Sequence, residues 1–383
     1  MRNRSIIIVL LYLFLSVLPL LAGQQPIVRP IVLGQSCALT GPAKNLGLEM
    51  RAGLLAAFSR INDGGGIHGR EIILISRDDG YEPDKAVRNT RELIYDDQVF
   101  ALIGAVGTPT SKAVAHIVSD AKIPFFAPFT GAEFLRKPFE KYVVNVRASY
   151  FQEMERLASY LIDKKKLKRV ACFFQNDSYG FAGLKGIELA LARRGMELVS
   201  RGSYERNTVA VMGGLRDVYR GHPEAIVLVG AYSACAEFIK LSKNKYSDDV
   251  LYCNISFVGT ESLQEALGGY GEDVIVSQVV PSPHDRETAL IRDFQQDMKK
   301  YQHDATISFT SLEGYIAGKL FGEIALAVKG EITGEKFIST MESIGSFDLG
   351  GIVLRFGPGD HQGMDTIYLT RIYPTIRKLD ETR

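Results

Sequence analysis

The 383-residue sequence contains no Trp, only four Cys and six His, and no excess of charge of either sign. Its 45 Lys and Arg balance 44 Asp and Glu, which leaves a formal net charge of +1. This balance gives no electrostatic case for a nucleic-acid partner, which needs a clustered basic surface. The cysteines form no Cys-x-x-Cys pair and lie within apolar runs. We therefore expect buried free thiols, with disulfides in an exported chain as the alternative.

Sequence motifs for catalysis are missing as well. The histidines show neither His-x-x-x-His nor His-x-His spacing, and no Walker A loop is present. Residues 64–69 match G-x-G-x-x-G but follow a helix pattern and precede a strand pattern, so they predict a helix end and a turn. Residues 34–38 lack the last Gly of a nucleophile elbow, and no His–acid pair completes it. We expect a protein that is not an enzyme, with no catalytic residues, metal or cofactor.

Long hydrophobic runs are absent except at the start of the chain. Arg2 and Arg4 precede an apolar run over residues 6–21, and Ala22-Gly23 then meets the polar Gln24. These are the three parts of a secretory signal peptide, and the run reaches only about 24 Å as a helix, short of a bilayer core. We expect a signal peptide over residues 1–23 and an exported protein. A permanent N-terminal anchor is the alternative.

The remaining sequence alternates short β-branched runs with amphipathic segments. This alternation predicts an α/β fold with doubly wound parallel sheets, whose ligand sites lie beyond the carboxyl ends of the strands. The predicted strands cover residues 27–33, 72–76, 100–103, 124–127, 170–174, 225–229, 250–255 and 274–278. The predicted helices cover residues 46–61, 84–95, 111–120, 151–162, 182–193, 234–241, 287–300 and 312–328.

Small and polar residues concentrate in the loops that follow these strands. Such loops supply hydroxyls and free backbone N–H groups at helix starts, which suits a carboxylate or another anion. Six of them in one chain outline a ligand cleft, although each alone could be a simple helix cap. Their sequences are GQSCALTGPAKNLG, GAVGTPTS, APFTGAE, QNDSYG, GAYSA and NISFVGTES.

Five blocks of the sequence resemble the leucine/isoleucine/valine-binding family, the periplasmic solute-binding proteins of ABC transporters. They are ALTGPAKNLGLEMRAGLLAAFSRINDGGGIHGREIILISRDDGYEPDKAV, LIGAVGTPTSKAV, PFFAPFTGAEFLR, SYGFAGLKGIELAL and SFVGTESL, in the family's order. The resemblance implies the type I periplasmic-binding-protein fold, in which three crossovers join two Rossmann-like lobes around a ligand cleft. It places the crossovers near Arg147, Gln278 and Phe356. The N-terminal lobe would then comprise residues 27–146 plus 279–353, and the C-terminal lobe residues 147–278 plus 354–383.

The resemblance also implies which residues contact the ligand. The hydroxyls that grip its α-carboxylate correspond to Thr108, with Thr110 and Ser111 close by at the helix start. The same resemblance implies which residues contact the ligand's ammonium group and which form the aromatic walls of the cleft. The ammonium contacts fall on Phe129, Thr130 and Gly131, and the aromatic walls on Tyr179, Tyr232 and Phe309.

Two positions depart from the family's pattern. The acidic residue that pairs with the ligand's ammonium group corresponds to Ser256 here. A buried ammonium without a carboxylate partner is costly, so either the ligand lacks an α-amino group or another Asp or Glu substitutes. The family's disulfide positions correspond to Tyr81 and Gly107, so that bridge is absent.

The predicted pocket is richer in rings than a leucine site needs. We add Tyr150 to the predicted pocket because this residue opens a predicted helix at the first crossover. Flat aromatic or unsaturated carboxylates would stack on such rings, while the alternative is that about half of them are core. The rings concerned are Phe129, Tyr150, Tyr179, Tyr232 and Phe257.

The sequence thus predicts the substrate-binding component of an ABC-type importer. It would capture an amino acid or a small carboxylate, aromatic carboxylates included, between closing lobes and deliver it to permease subunits in the inner membrane. A monomer is expected. The alternative is an extracytoplasmic sensor module of the same fold, which presents its ligand to a receptor or kinase.

Overall fold

The computed structural model describes residues 29–246, 249–272, 274–372 and 374–379. The predicted signal peptide, residues 1–23, lies outside them. Within the described ranges, no helix has both the length and the apolar character needed to cross a membrane. All four cysteines are free and buried, as predicted from the apolar runs around them.

The first half of the chain builds a five-stranded parallel sheet, the base of the first lobe. Its strands lie in the order β2-β1-β3-β4-β5, so the chain winds outward from β1 in both directions. The strands are β1 (Ile31–Cys37), β2 (Ile72–Asp78), β3 (Ala101–Ile103), β4 (Phe125–Phe126) and β5 (Val143–Val144).

The second lobe is built on a seven-stranded sheet in the order β14-β13-β10-β9-β8-β6-β7. Its first five strands in the chain are parallel, and β13 and β14 add antiparallel at one edge. They are β6 (Val170–Gln175), β7 (Ser200–Tyr204), β8 (Ala225–Val229), β9 (Leu251–Asn254), β10 (Val274–Gln278), β13 (Tyr368–Arg371) and β14 (Arg377–Lys378). A separate hairpin joins β11 (Ser346–Asp348) to β12 (Val353–Arg355).

Eleven helices of the described residues connect and cover these strands. Two of them continue as wider helical turns, over Glu92–Asp96 and Ser159–Lys164. The helices are α1 (Lys44–Asp63), α2 (Pro83–Arg91), α3 (Thr108–Ala121), α4 (Tyr150–Ala158), α5 (Ser178–Ala192), α6 (Met212–Tyr219), α7 (Tyr232–Lys245), α8 (Thr260–Leu267), α9 (Ala289–Tyr301), α10 (Phe309–Ala327) and α11 (Gly334–Ile344).

Helix α10 follows the second sheet in sequence but packs against α1 of the first lobe. Two glycines make this close approach feasible: a Cβ on Gly53 would fall 1.9 Å from the Ser311 carbonyl oxygen, and one on Gly314 would fall 2.3 Å from that of Met50. Any larger residue would push the two backbones apart. The chain therefore returns to the first lobe after β10, before β13 rejoins the second sheet.

All eight predicted strands and eight predicted helices correspond to elements of the structure, but the first strand is misplaced at its end. It runs to Cys37, so Gly34, Gln35 and Ser36 lie in β1 and not in the following loop. The polar pair is buried because each side chain has a partner: Gln35 Nε2 donates to the Gly104 carbonyl at 2.9 Å, and Ser36 Oγ to the Asp79 carboxylate at 2.7 Å. The glycine turn after α1 is confirmed, with Gly65 and Gly66 at positive φ.

Candidate functional site

The carboxyl ends of the parallel strands bring three hydroxyls of distant residues together between the lobes. Thr108 opens α3 after β3, Thr130 follows β4, and Tyr150 opens α4 after β5. The two threonine Oγ1 atoms lie 2.7 Å apart, and Thr108 Oγ1 lies 3.3 Å from the Tyr150 hydroxyl. All three side chains are fully buried. The strand-end loops thus form the polar part of a site, as expected for doubly wound sheets.

Tyr150 is held in place by its backbone as well as by its hydroxyl. Ser149 caps α4 in a capping box: Ser149 Oγ accepts from the Gln152 N–H, and the Ser149 N–H donates to Gln152 Oε1. The Tyr150 N–H donates to the Gly131 carbonyl at 2.7 Å. A Cβ on Gly131 would fall 2.6 Å from Tyr150 Cδ1, so only glycine fits beside this ring.

Five aromatic side chains pack next to these hydroxyls and form what we call the ring cluster: Tyr81, Phe129, Tyr150, Tyr179 and Phe257. Ring centroids lie 4.5 Å apart for the pair Tyr179–Phe257, 5.3 Å for Phe129–Phe257 and 5.5 Å for Tyr150–Tyr179. No ring is more than 1% exposed. Tyr81 and Phe129 come from the first lobe, and Tyr179 and Phe257 from the second. The cluster therefore spans the interface between the lobes.

Tyr81 occupies the neighbourhood in which the resembled family has a disulfide. Its Cε2 atom would lie 2.3 Å from a Cβ at Gly107, whose φ is +113°. The ring thus packs directly on the glycine backbone in front of α3. Its hydroxyl accepts a hydrogen bond from Gln175 Nε2 of the second lobe at 3.4 Å. Tyr81 is thus held at this place by packing on Gly107 and by its hydrogen bond with Gln175.

Arg147 is the cation at the centre of this interface. Its side chain is about as buried as the rings, and its Cζ lies 4.6 Å from the centroid of Phe129, in a cation–π arrangement. Its Nη2 donates to Ser256 Oγ. Among the described residues, its Nε and Nη1 have no hydrogen-bond partner. Burial works against the charge, but Glu313 and Glu153 raise the pKa of Arg147 above its usual value, so it stays a cation.

Glu153 supplies a carboxylate beside Ser256. Ser256 is the residue at which the resemblance to the family implies an acid. It accepts from the Ser256 N–H at 2.8 Å, from Ser256 Oγ at 2.9 Å and from Ser277 Oγ at 2.6 Å. Its Oε1 lies 3.7 Å from Arg147 Nη2. Burial raises the pKa of Glu153, and Arg147 and the serine hydrogen bonds oppose that rise. Glu153, which lies in α4, therefore places its carboxylate next to Ser256.

Glu313 is the second acid beside Arg147 and comes from α10 of the first lobe. Its Oε2 lies 3.5 Å from Arg147 Nε, and the side chain is 6% exposed. Burial raises the pKa of Glu313 to about 7; Arg147 lowers it, and the charge of Glu153 raises it further. Glu313 is therefore close to half-protonated at neutral pH, whereas Arg147 remains charged.

Four of the residues expected at the site lie outside this group. Thr110 donates to the carbonyls of Val106 and Gly107, at 2.7 and 3.0 Å, within its own loop. Ser111 is buried and, with Thr110, borders a separate small void beside β3. Tyr232 accepts from the Asn45 N–H of the first lobe at 3.5 Å, and the Phe309 N–H donates to Glu261 at 3.3 Å. The structure brings together Thr108, Phe129, Thr130, Gly131, Tyr150, Tyr179, Ser256 and Phe257.

Sequence reasoning missed the charged residues Arg147, Glu153 and Glu313 as parts of the site. A charge at the start of a helix is usually solvated, so the residue type of Glu153 gave no signal. Its position did give one, because Glu153 lies three residues after Tyr150 and therefore on the same helix face. Glu313 lies in the mostly apolar helix α10, whose other charged residues are Lys319 and Glu323, and an acid in such surroundings points to a buried partner. Within the described ranges, no group of three His, Cys, Asp or Glu residues could hold a metal ion.

A second set of contacts, which we call the rim, closes the mouth of the cleft between Gly80, Glu82, Arg206 and Asn207. Arg206 Nη2 donates to Glu82 Oε2 at 2.7 Å, and Asn207 Nδ2 donates to Glu82 Oε1 at 2.7 Å and to the Gly80 carbonyl at 3.0 Å. These side chains are partly exposed. The lobes are thus in contact both at the buried centre and at the rim.

Comparisons of sequence and of fold find ligand-binding proteins that are similar to this chain. The sequence profile of a family described as periplasmic binding protein matches residues 30–375. A Brucella suis relative named Leu/Ile/Val-binding protein homolog 7 is 27% identical over 330 residues, 82% of each chain. A solved structure of a possible leucine/isoleucine/valine-binding protein from Rhodopirellula baltica SH 1 superposes with a TM-score of 0.89 at 35% identity, covering 93% of this chain and 98% of that one. A fatty acid ABC transporter substrate-binding protein from Thermomonospora curvata (TM-score 0.79, 20% identity, 92% and 89% coverage) shares the fold.

Proposed function

Because the chain belongs to the periplasmic binding protein family, we propose that it is the substrate-binding component of an ABC-type importer. It captures an amino acid or another small carboxylate between its lobes and delivers it to permease subunits in the inner membrane. The observation that carries this proposal is the buried group of hydroxyls and rings to which both lobes contribute. The names of the Brucella and Rhodopirellula relatives support it at the level of ligand class.

Closure of the lobes is the event that ligand binding would control. Thr108, Phe129 and Thr130 belong to the first lobe, whereas Tyr179 and Phe257 belong to the second. A ligand that contacts both sets gains more contacts in the closed state than in the open one. It shifts the population toward closure by that differential affinity, and the closed shape is what a permease can recognise.

The residues of the site suit a small molecule with one polar and one apolar end. The hydroxyls of Thr108 and Thr130, next to the start of α3, offer hydrogen bonds and a favourable helix dipole to a carboxylate. The rings of Tyr179 and Phe257 offer an apolar wall on which an aliphatic or aromatic group can pack. Binding needs no change in the ligand's covalent structure, so the protein acts without catalysis.

Several features of the organisation are part of the same proposal. The N-terminal lobe comprises residues 27–146 plus 279–353, the other lobe residues 147–278 plus 354–383, and ligand lies between them. The protein works as a monomer in the periplasm after removal of residues 1–23. Tyr232 and Phe309, which lie at contacts between the lobes, contribute to the cleft when the lobes open, and Thr110 and Ser111 support the start of α3 behind Thr108.

A thermal-shift screen of the chain from Gln24 onward tests the proposal. The panel pairs leucine and phenylalanine with their deaminated acids, 4-methylpentanoate and 3-phenylpropanoate. A ligand at about 100 times its dissociation constant stabilises the folded state by about 2.7 kcal/mol, which raises the melting temperature measurably. Stabilisation by only the amino acids assigns an ammonium partner to Glu153 or Glu313. Stabilisation by the deaminated acids assigns the ligand to carboxylates without an amino group, and no stabilisation by any member contradicts the proposed ligand class.

The Thr108→Val variant tests the polar end of the site. We expect it to weaken binding of the best panel ligand by about 1–3 kcal/mol, because a charge-assisted hydrogen bond to the carboxylate is lost. Isothermal titration measures the change. Thr370→Val is the matched control, since it removes a buried threonine hydroxyl that bonds to the Val276 carbonyl within the second sheet. Equal affinity of Thr108→Val and wild type would remove Thr108 from the site.

Uptake by living cells separates transport from sensing. If the protein serves an importer, deletion of its gene abolishes high-affinity uptake of the ligand found in the screen. Normal uptake combined with a lost transcriptional or chemotactic response to that ligand would instead assign the protein to the sensor class.

A further inference from the structure

We propose that Arg147 is the receptor for the ligand's carboxylate, an assignment that rests on the proposed function and specifies its chemistry. Neither the charge balance nor the strand-end loops of the sequence point to this residue. The argument depends on its burial, its unused hydrogen-bond donors and its position against the rings of Phe129 and Tyr150.

The guanidinium group keeps donors that no residue uses. Nη2 donates to Ser256 Oγ, but Nε and Nη1 have no acceptor among the described residues, although the side chain is nearly inaccessible. Buried polar groups in folded proteins are almost always hydrogen-bonded, and an unsatisfied charged donor is costly. The two nitrogens therefore mark a position where an anionic acceptor would be strongly favoured.

The neighbouring acids balance the charge of Arg147 without satisfying its hydrogen bonds. Glu153 lies 3.7 Å from Nη2 and Glu313 lies 3.5 Å from Nε, both longer than a normal charge-assisted bond. Glu153 is already committed to Ser256 and Ser277. Glu313 can take up a proton near neutral pH, which would leave Arg147 free to bind another carboxylate.

The residues around Arg147 favour ligands of a particular shape. The guanidinium lies 4.6 Å above Phe129, and Phe129 in turn packs on Phe257 with centroids 5.3 Å apart. The Tyr150 ring lies 6.0 Å from the same guanidinium, and its hydroxyl contacts Thr108. A carboxylate at Arg147 would thus have hydroxyl donors on one side and ring faces along the attached hydrocarbon.

The test compares acids with their primary amides, because an amide keeps the shape of the acid but has no negative charge. The probes are leucine, phenylalanine, 4-methylpentanoate and 3-phenylpropanoate, each titrated calorimetrically beside its amide. We expect wild type to prefer each acid that it binds by about 10- to 100-fold over the amide, as for a bond between charged groups. In Arg147→Met the affinity for the acid falls to that of the amide, and the preference collapses toward a ratio of one.

This comparison separates ligand recognition from a purely structural role. If Arg147 only tied the lobes together through Glu153 and Glu313, its removal would weaken acid and amide equally and leave their ratio unchanged, which would overturn the inference. Arg147→Lys covers the case in which the Met variant does not fold; it keeps the charge but not the planar donors, and we expect a smaller loss confined to the acids. Amides bound by wild type as tightly as acids would overturn the inference and leave the proposed function standing. Binding of no probe would overturn both.

Discussion

Two of the places where the lobes meet, the buried centre around Arg147 and the rim around Glu82, use the same kinds of groups in opposite surroundings. At the centre, one arginine and two glutamates are almost completely buried among rings. At the rim, Arg206 makes a 2.7 Å ion pair with a Glu82 side chain that is 41% exposed. Burial makes the central charges expensive and their partners decisive, whereas water and salt weaken the rim pair.

The contrast indicates a division of roles between the two regions. The centre has donors in reserve and an acid that titrates near neutrality, so its free energy changes when a ligand arrives. At the rim, Glu82 and the Gly80 carbonyl are paired across the cleft by Arg206 and Asn207, although Arg206 Nε has no hydrogen-bond partner among the described residues. These contacts are made by the protein's own groups, so they contribute a constant amount to closure. Ligand specificity should therefore depend on the centre, and the rim should adjust affinity only slightly.

Replacing Glu153 is the largest disruption that the contrast predicts. Glu153→Gln removes one charge beside Arg147 and replaces one of the two carboxylate oxygens, which accept three hydrogen bonds, with an NH2 donor. Breaking a buried ion pair costs about 3–5 kcal/mol. We expect a loss of that size in the free energy of unfolding, measured by urea denaturation. Glu155→Gln is the control, because it lies two residues further along α4 in a partly exposed pair with Arg193 and Arg194. If Glu153→Gln lost as little unfolding free energy as the control, burial of the central charges would not explain their contribution to stability.

Glu313 gives the centre a pH dependence. Its folded pKa of about 7 lies above its ordinary value of 4.5, so the folded state favours the protonated form. The stability from this group is therefore complete below pH 4.5 and is lost as the pH rises through 7, by at most about 3 kcal/mol. Glu313→Gln, which stays neutral, should lose less stability between pH 4.5 and 7.5 than wild type does. Parallel curves for the two proteins in chemical denaturation would contradict this.

The smallest effect is expected at the rim. Glu82→Gln removes the charge that faces Arg206, and exposed ion pairs contribute only about 0.2–1 kcal/mol, less than about fivefold in ligand affinity. Glu188→Gln is the matched control, because its 2.7 Å pair with Arg201 lies within the second lobe and does not cross the cleft. A large loss of affinity in Glu82→Gln alone would show that the rim, and not the centre, dominates closure.

The fold could be predicted largely from the sequence, because hydrophobic periodicity and strand-end loops are local signals. Two of the elements that escaped prediction are held together by glycine. Strand β7 and helix α6 pack so closely that a Cβ on Gly202 would fall 2.1 Å from the Gly214 carbonyl oxygen. Such contacts replace apolar side chains with bare backbone, so neither segment shows a clear hydrophobic pattern.

The site could be predicted only in part, for a related reason. Thr108, Thr130 and Tyr150 stand at strand ends, where the topology alone brings them together. Arg147, Glu153 and Glu313 form their group through contacts across 166 residues of sequence, between Arg147 and Glu313. Glu153 and Glu313 carry weak local signals, but a charged residue looks the same in sequence whether it faces water or a buried partner. The tertiary structure is therefore needed to identify the three residues as one group.

A crystal structure of the chain from Gln24, grown with the acid that gives the largest thermal shift, tests the central claim most directly. The account predicts closed lobes and one ligand carboxylate oxygen within about 2.7–3.2 Å of Arg147 Nε or Nη1. It also predicts that the hydrocarbon lies against the ring cluster. A ligand bound in the cleft with its carboxylate away from Arg147, or bound outside the interface between the lobes, would contradict it.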